Sequence, residues 1–144
     1  MKVKLSQLQV EHVIIKRCKV EENIEGTHKQ NLDLDFEAGI TEDGMHILAI
    51  KLAYNRSSKK PVLKAEIEAD FIFKIDPDLS EEQKVKLLVY NGLAMAYGML
   101  RGIVFQKCCI LPPNLRVLPG VNLLPLIKEK LKQKNSCPSE EQCR

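Results

Sequence analysis

From Leu63 to Ile75 the sequence LKAEIEADFIFKI alternates without a break. Leu63, Ala65, Ile67, Ala69, Phe71, Phe73 and Ile75 fall on one side, and Lys64, Glu66, Glu68, Asp70, Ile72 and Lys74 on the other. Successive side chains of a strand point to opposite faces, whereas a helix would scatter the same residues around its axis. The stretch therefore predicts an antiparallel strand with one face in a core and the other in water.

Three earlier segments join it. LQVEHVIIKRCKV alternates in two registers with a slip near Glu11 and His12, the mark of a bulged strand. NLDLDFEAG sets Leu32, Leu34 and Phe36 against Asp33, Asp35 and Glu37. TEDG supplies a tight turn, with Gly44 free to take a positive φ. MHILAIKLAYN follows, apolar on both faces at its start, which predicts cover on both sides there.

The second half is helical. Ser80 and Gln83 form the capping-box pattern, and Glu81 and Glu82 sit at the positive end of the dipole, so a helix is expected from about Glu81 to about Gln106. Leu87 to Leu100 carries no charge, and Ala94, Gly98 and Gly102 recur every four residues. A membrane span would use such a GxxxG stripe, but the uncharged run is shorter than the roughly 20 residues a bilayer requires. The stripe instead predicts a helix packed between the sheet and a neighbouring subunit.

Pro112 and Pro113 end that helix and impose an extended path. Asn122 caps a final helix, LLPLIKEKLKQK, with Pro125 in its first turn. The link between the helices, LPPNLRVLPGV, is rich in aliphatic side chains; Leu115, Leu118 and Val121 are expected in the core, and Leu124, Leu126 and Ile127 at the helix start are expected to make binding contacts. The fold class is α+β: a four-stranded antiparallel sheet, a long helix and a C-terminal helix. One domain is expected over residues 1–134, followed by a disordered polar tail over 135–144.

Composition narrows the function classes. Of the +3 formal charge, residues from Lys128 onward hold five bases against three acids, leaving the body at +1. Alternating lysines at a helix end favour the dipole and lack the base-reading partners of a nucleic-acid binder. The N-terminus has no unbroken apolar core of a signal peptide, and the five cysteines, Cys18, Cys108, Cys109, Cys137 and Cys143, form no disulfide framework. A cytoplasmic protein with reduced thiols is expected.

No catalytic constellation emerges, and no enzyme, cofactor or metal site is expected. His12, His28 and His46 lie in no metal or nucleophile motif, and His46 is in register with core residues. Asp33, Asp35, Glu37, Glu66, Glu68 and Asp70 would give one sheet face an acidic band, read either as a solubilising surface or as a docking surface for a basic partner.

The order of elements resembles the SecB protein-export chaperone family. NLDLDF is similar to the start of that family's second strand, AEIEADFIFKI to its fourth, and LPPNLRVLPGVNLLPLI to the segment after its long helix; the likeness covers about residues 5 to 132. It implies an ATP-independent holdase for unfolded polypeptides, assembled as a homotetramer, a dimer of dimers with Ala94, Gly98 and Gly102 at the interface. It implies a client groove drawn from Ile24, Met45, Ile47, Leu124, Leu126, Ile127 and Leu131. The partners implied are unfolded clients and either the secretion ATPase or a toxin–antitoxin component. Two differences from the family stand out: the EENIEGTHKQ crossover holds only Ile24 as a large apolar residue, and the chain is slightly basic where the family is acidic. The function implied is protein export or the care of one dedicated client, such as an aggregation-prone antitoxin or a single exported protein. The alternative reading is a small-ligand or partner-binding domain that holds an apolar molecule between sheet and helix.

Overall fold

The computed structural model describes residues 1–135. Four strands, β1 (Leu8–Glu22), β2 (Leu32–Ile40), β3 (His46–Tyr54) and β4 (Leu63–Ile75), form one antiparallel sheet in the order β1-β4-β3-β2. The strictly alternating β4 lies inside the sheet, and its inward residues are all 8% exposed or less. Each Leu, Ile or Phe buried there stabilises by about 1.5–3 kcal/mol. β1 shifts register between Val10 and His12, at the expected slip, and again between Ile15 and Arg17. The turn closes with Gly44 at φ 78° and Thr41 N–H donating to the Met45 carbonyl at 2.8 Å.

The helical half lies on the inner face. Ser80 accepts from Gln83 N–H and Gln83 reaches back to Ser80 N–H, closing the capping box ahead of α1 (Glu81–Leu87). A π-helical turn (Leu88–Gly92) leads into α2 (Leu93–Lys107). That turn sits where the backbone crosses the sheet closely: a Cβ on Gly92 would lie 3.3 Å from Leu48 Cδ1 and 3.4 Å from Phe73 Cζ. Together α1, the π turn and α2 are long and apolar enough to cross a membrane by length and composition. Here Leu88, Val89, Leu93, Ala96, Tyr97, Leu100 and Val104 are buried in the core shared with the sheet.

A single 3-10 turn (Pro113–Leu115) interrupts the link to α3 (Leu124–Asn135). The link is pinned to α2, since Tyr97 Oη donates to the Pro119 carbonyl at 2.6 Å and Arg101 Nε to the Leu118 carbonyl at 3.0 Å. Leu111 and Leu118 are fully buried, whereas Val121 is 37% exposed rather than in the core. Ile127, expected to make binding contacts, is 1% exposed, because α3 turns that one residue into the core. Cover on both faces of β3 is not found among the described residues: Ile47 and Ala49 are half-buried beside β4 and β2, with no layer over them. The expected tail, with Cys137 and Cys143, lies outside the described residues.

Candidate functional site

Two clefts open on the inner side of the sheet, one beyond the start of edge strand β2, where Leu32 pairs with the lining residue Tyr54, and one against β2 itself. The larger, about 360 Å³, lies where the β1–β2 crossover meets the proline link; Tyr54, Val62, Leu63, Leu115 and Val117 supply apolar walls, and His28, Lys29, Gln30 and Asn114 a polar rim. The smaller, about 70 Å³, lies farther along β2 between Phe36, Ala38, Val85, Val89 and Leu131, with Lys130, Lys134 and Glu37 at its mouth. Half-buried Leu32 and Leu34 occupy the inner face of β2 between the two clefts. The result is an apolar track beside an edge strand, the geometry on which an extended polypeptide docks.

The crossover wall is fixed by Asn55, buried and held at φ 57°. Its side chain donates to the carbonyls of Lys29 at 2.9 Å and Leu63 at 2.8 Å and accepts from Asn31 N–H at 2.9 Å. Tyr54 Oη donates to the same Lys29 carbonyl at 3.1 Å. Gly26 allows the crossover to lie against Pro61, whose carbonyl carbon would be 2.6 Å from a Cβ there.

The link wall is tied to β1. Glu22 accepts N–H bonds from Cys109 and Ile110, both at 2.6 Å, and from Leu111 at 2.9 Å. Desolvation pushes the Glu22 carboxyl up, but these three donors and nearby Arg116 outweigh it and hold its pKa below the ordinary value. Arg116 also donates to the Leu111 carbonyl and lies over the Phe105 ring at 5.8 Å. Burial first, then the Glu22 charge, pushes the Cys108 thiol up to about 11, so it stays protonated at neutral pH. Cys18, Cys108 and Cys109 are free thiols.

The residues expected to form one groove do not converge. Ile24 follows the end of β1 near Val62, whereas Met45 precedes β3 at the opposite end of the sheet. The length of β3 between them is roughly 26 Å at about 3.3 Å per residue. Ile47 lies on the outer face, opposite Gly39 and Ile72, away from the helices. Of α3, Leu131 lines the small cleft, Leu126 packs against the core, Leu124 is exposed and Ile127 is core. Val117, Leu115, Phe36 and Val89 were missed as lining residues. Contacts between segments far apart in sequence bring them to the clefts, and although the alternation of β2 turns Phe36 inward, no local pattern marks any of the four as lining a cleft.

The acidic face is charge-compensated. Asp70 pairs with Lys16 at 2.9 Å, and Glu66 with Arg17 at 3.0 Å and Arg56 at 3.1 Å. Arg17, Glu68, Lys51 and Asp35 are successive neighbours across all four strands, a row of alternating sign. Lys130 pairs with Asp35 at 2.6 Å and Glu37 at 3.1 Å. An acidic docking band for a basic partner is thus not what this surface presents; the sequence reading took in the acids of β2 and β4 and left out the bases registered against them.

On α2 the residues facing away from the sheet are Ala94, Met95, Gly98, Met99, Gly102 and Phe105, at helical spacing. Met95, Met99 and Phe105 are each about 40% exposed, and no atom approaches a Cβ placed on Gly98 or Gly102 within 4 Å. Among the described residues no group of His, Cys, Asp and Glu is placed to hold a metal ion. His46 is buried beneath Glu81 and Lys84, and desolvation is the main cause that lowers its pKa.

No protein-family model and no curated protein matches the chain. Among solved structures, a SecB-like chaperone from Mycobacterium tuberculosis, in complex with a peptide from an antitoxin, is similar at 18% sequence identity and a TM-score of 0.47. The match covers 80% of this chain and 90% of that one.

Proposed function

We propose that the protein is an ATP-independent holdase that takes extended, non-native polypeptide along the apolar track beside β2, in the cytoplasm. The observation that carries this reading is the pair of clefts joined by Leu32 and Leu34 on an edge strand, walled by the proline link and α3. Backbone pairing with the edge is sequence-blind, and aliphatic walls are tolerant, a combination suited to clients without a fixed structure. Each cleft is small, so useful affinity comes from one client spanning several tracks. A homotetramer, a dimer of dimers joined through the Ala94, Gly98 and Gly102 face of α2, supplies them. The client class is either exported chains handed to the secretion ATPase or a single aggregation-prone partner such as an antitoxin.

The test is light scattering of a chemically unfolded protein diluted into buffer without nucleotide. Equimolar protein suppresses the scattering, and Val117→Glu, which places a charge in the larger cleft, weakens the suppression. Unchanged scattering with the wild-type chain overturns the proposal. A second reading draws on the larger cleft, whose 360 Å³ matches a small apolar ligand. Native mass spectrometry separates the two: a co-purified small molecule supports the ligand reading, and a bound peptide supports the holdase.

A further inference from the structure

The C-terminal helix meets the sheet edge through one face, Ile127, Lys130, Leu131 and Lys134, spaced at i, i+3, i+4 and i+7. The four do different things. Ile127 is buried in the core and anchors the helix. Three residues on, Lys130 reaches around the edge of β2 to Asp35 and Glu37 and lies 6.0 Å from the centroid of the Phe36 ring. Leu131 is 36% exposed and roofs the 70 Å³ cleft, which it leaves incompletely filled over Phe36, Ala38, Val85 and Val89. Upstream, Pro119 is tied to Tyr97, and Leu124 N–H is capped by Asn122 at 3.2 Å. The path therefore has a fixed point before the helix, an anchor in its second turn and an ionic contact beyond that anchor.

We infer that α3 is a strap over the β2 edge, pivoting on Ile127 and latched by Lys130 to Asp35 and Glu37. Releasing the latch lifts Leu131 and uncovers the Phe36–Val89 strip. Lys130 keeps 21% of its side-chain surface exposed, and Asp35 and Glu37 more than half of theirs, so salt reaches the ion pairs. Such pairs are individually weak, which suits a contact that opens at modest ionic strength while the buried Ile127 retains the helix. The apolar floor is then exposed without unfolding of the core. This device rests on the geometry of α3 alone and stands whether or not the track holds a polypeptide.

The chain has no Trp, so Leu131→Trp supplies a sole reporter at the roof of the cleft. Acrylamide quenching of that tryptophan is measured between about 0.02 and about 1 M NaCl, a range over which screening becomes nearly complete. Quenching is expected to rise about twofold, the scale of an exposed ion pair. In Lys130→Gln it is expected to be high at every salt concentration, and in Lys130→Arg to keep the salt dependence. Quenching at low salt that is the same with and without Lys130 overturns the latch. Hydrogen exchange of the α3 amides in the unlabelled chain guards against a reporter artefact. Retained protection at high salt agrees with a pivoting helix, whereas loss of protection throughout α3 means that the helix melts and the strap as stated is wrong. Because no client enters either measurement, a failed holdase assay leaves this result readable on its own.

Discussion

The carboxylate of Glu22 accepts the backbone N–H of Ile110 at 2.6 Å, joining the end of β1 to the first residues beyond α2 across 88 positions of sequence. With the bonds from Cys109 and Leu111 it satisfies three donors of a segment that leaves its helix and has no strand to pair with. Glu22→Gln keeps the shape and loses the charge, and should lower stability at pH 7 by about 1 kcal/mol once solvent screening is allowed for. The Glu22 pKa is lower in the folded state than its ordinary 4.5, so its contribution is present above that value and is lost as pH falls through the folded pKa. Urea denaturation of the two proteins should differ at pH 7 and converge as pH falls below 4.5.

Asn55 holds the crossover wall. Its positive φ costs little for Asn, and its side chain makes three hydrogen bonds with backbone groups from two segments. Asn55→Ala strands those groups and retains the strained φ, for an expected loss of about 2–4 kcal/mol. Asn55→Gly loses the same bonds but relieves the backbone, and should be the milder of the two. Thermal melts ranked in that order support the assignment; equal melts would show that the side-chain bonds alone matter.

How much of this was legible depends on whether the signal is local. The strands were, because period-two alternation in Leu63–Ile75 and in Leu32–Phe36 leaves one buried face. The capping box at Ser80 and Gln83 was, being four residues long. The π turn was not: Leu88 to Gly92 carries no local mark of it, and the extra residue per turn answers to Leu48 and Phe73 on other strands. The groove was half legible, since apolar residues announce themselves but not which end of the sheet they reach; Ile24 and Met45 thus lie at opposite ends. The charge row across the outer face needs the register of all four strands.

His46 makes stability sensitive to mild acid. It lies buried under the first turns of α1, where desolvation disfavours the imidazolium, with the Glu81 charge opposing and Lys84 assisting. A lowered folded-state pKa means that the unfolded chain binds the proton more readily, so stability is full above about 6.5 and declines as pH falls below it. His46→Gln removes that titration. Denaturant midpoints from pH 8 to pH 5 should decline for the wild type and stay flatter for the variant; parallel curves would place the acid sensitivity elsewhere.

Two glycines of one helix have opposite roles. At Gly92 a side chain meets Leu48 and Phe73 inside the chain, so Gly92→Val should overpack the core and destabilise the chain by about 1–3 kcal/mol. At Gly98 the space is open, and a larger residue also improves helix propensity, so Gly98→Leu should leave the melt of the isolated chain unchanged or raised. If that open face joins subunits, the same Gly98→Leu should lower the sedimentation coefficient from that of a tetramer, while its circular dichroism stays that of the wild type. A wild-type chain that sediments as a monomer, or a Gly98→Leu variant that still sediments as a tetramer, removes the Ala94–Gly98–Gly102 face from the interface.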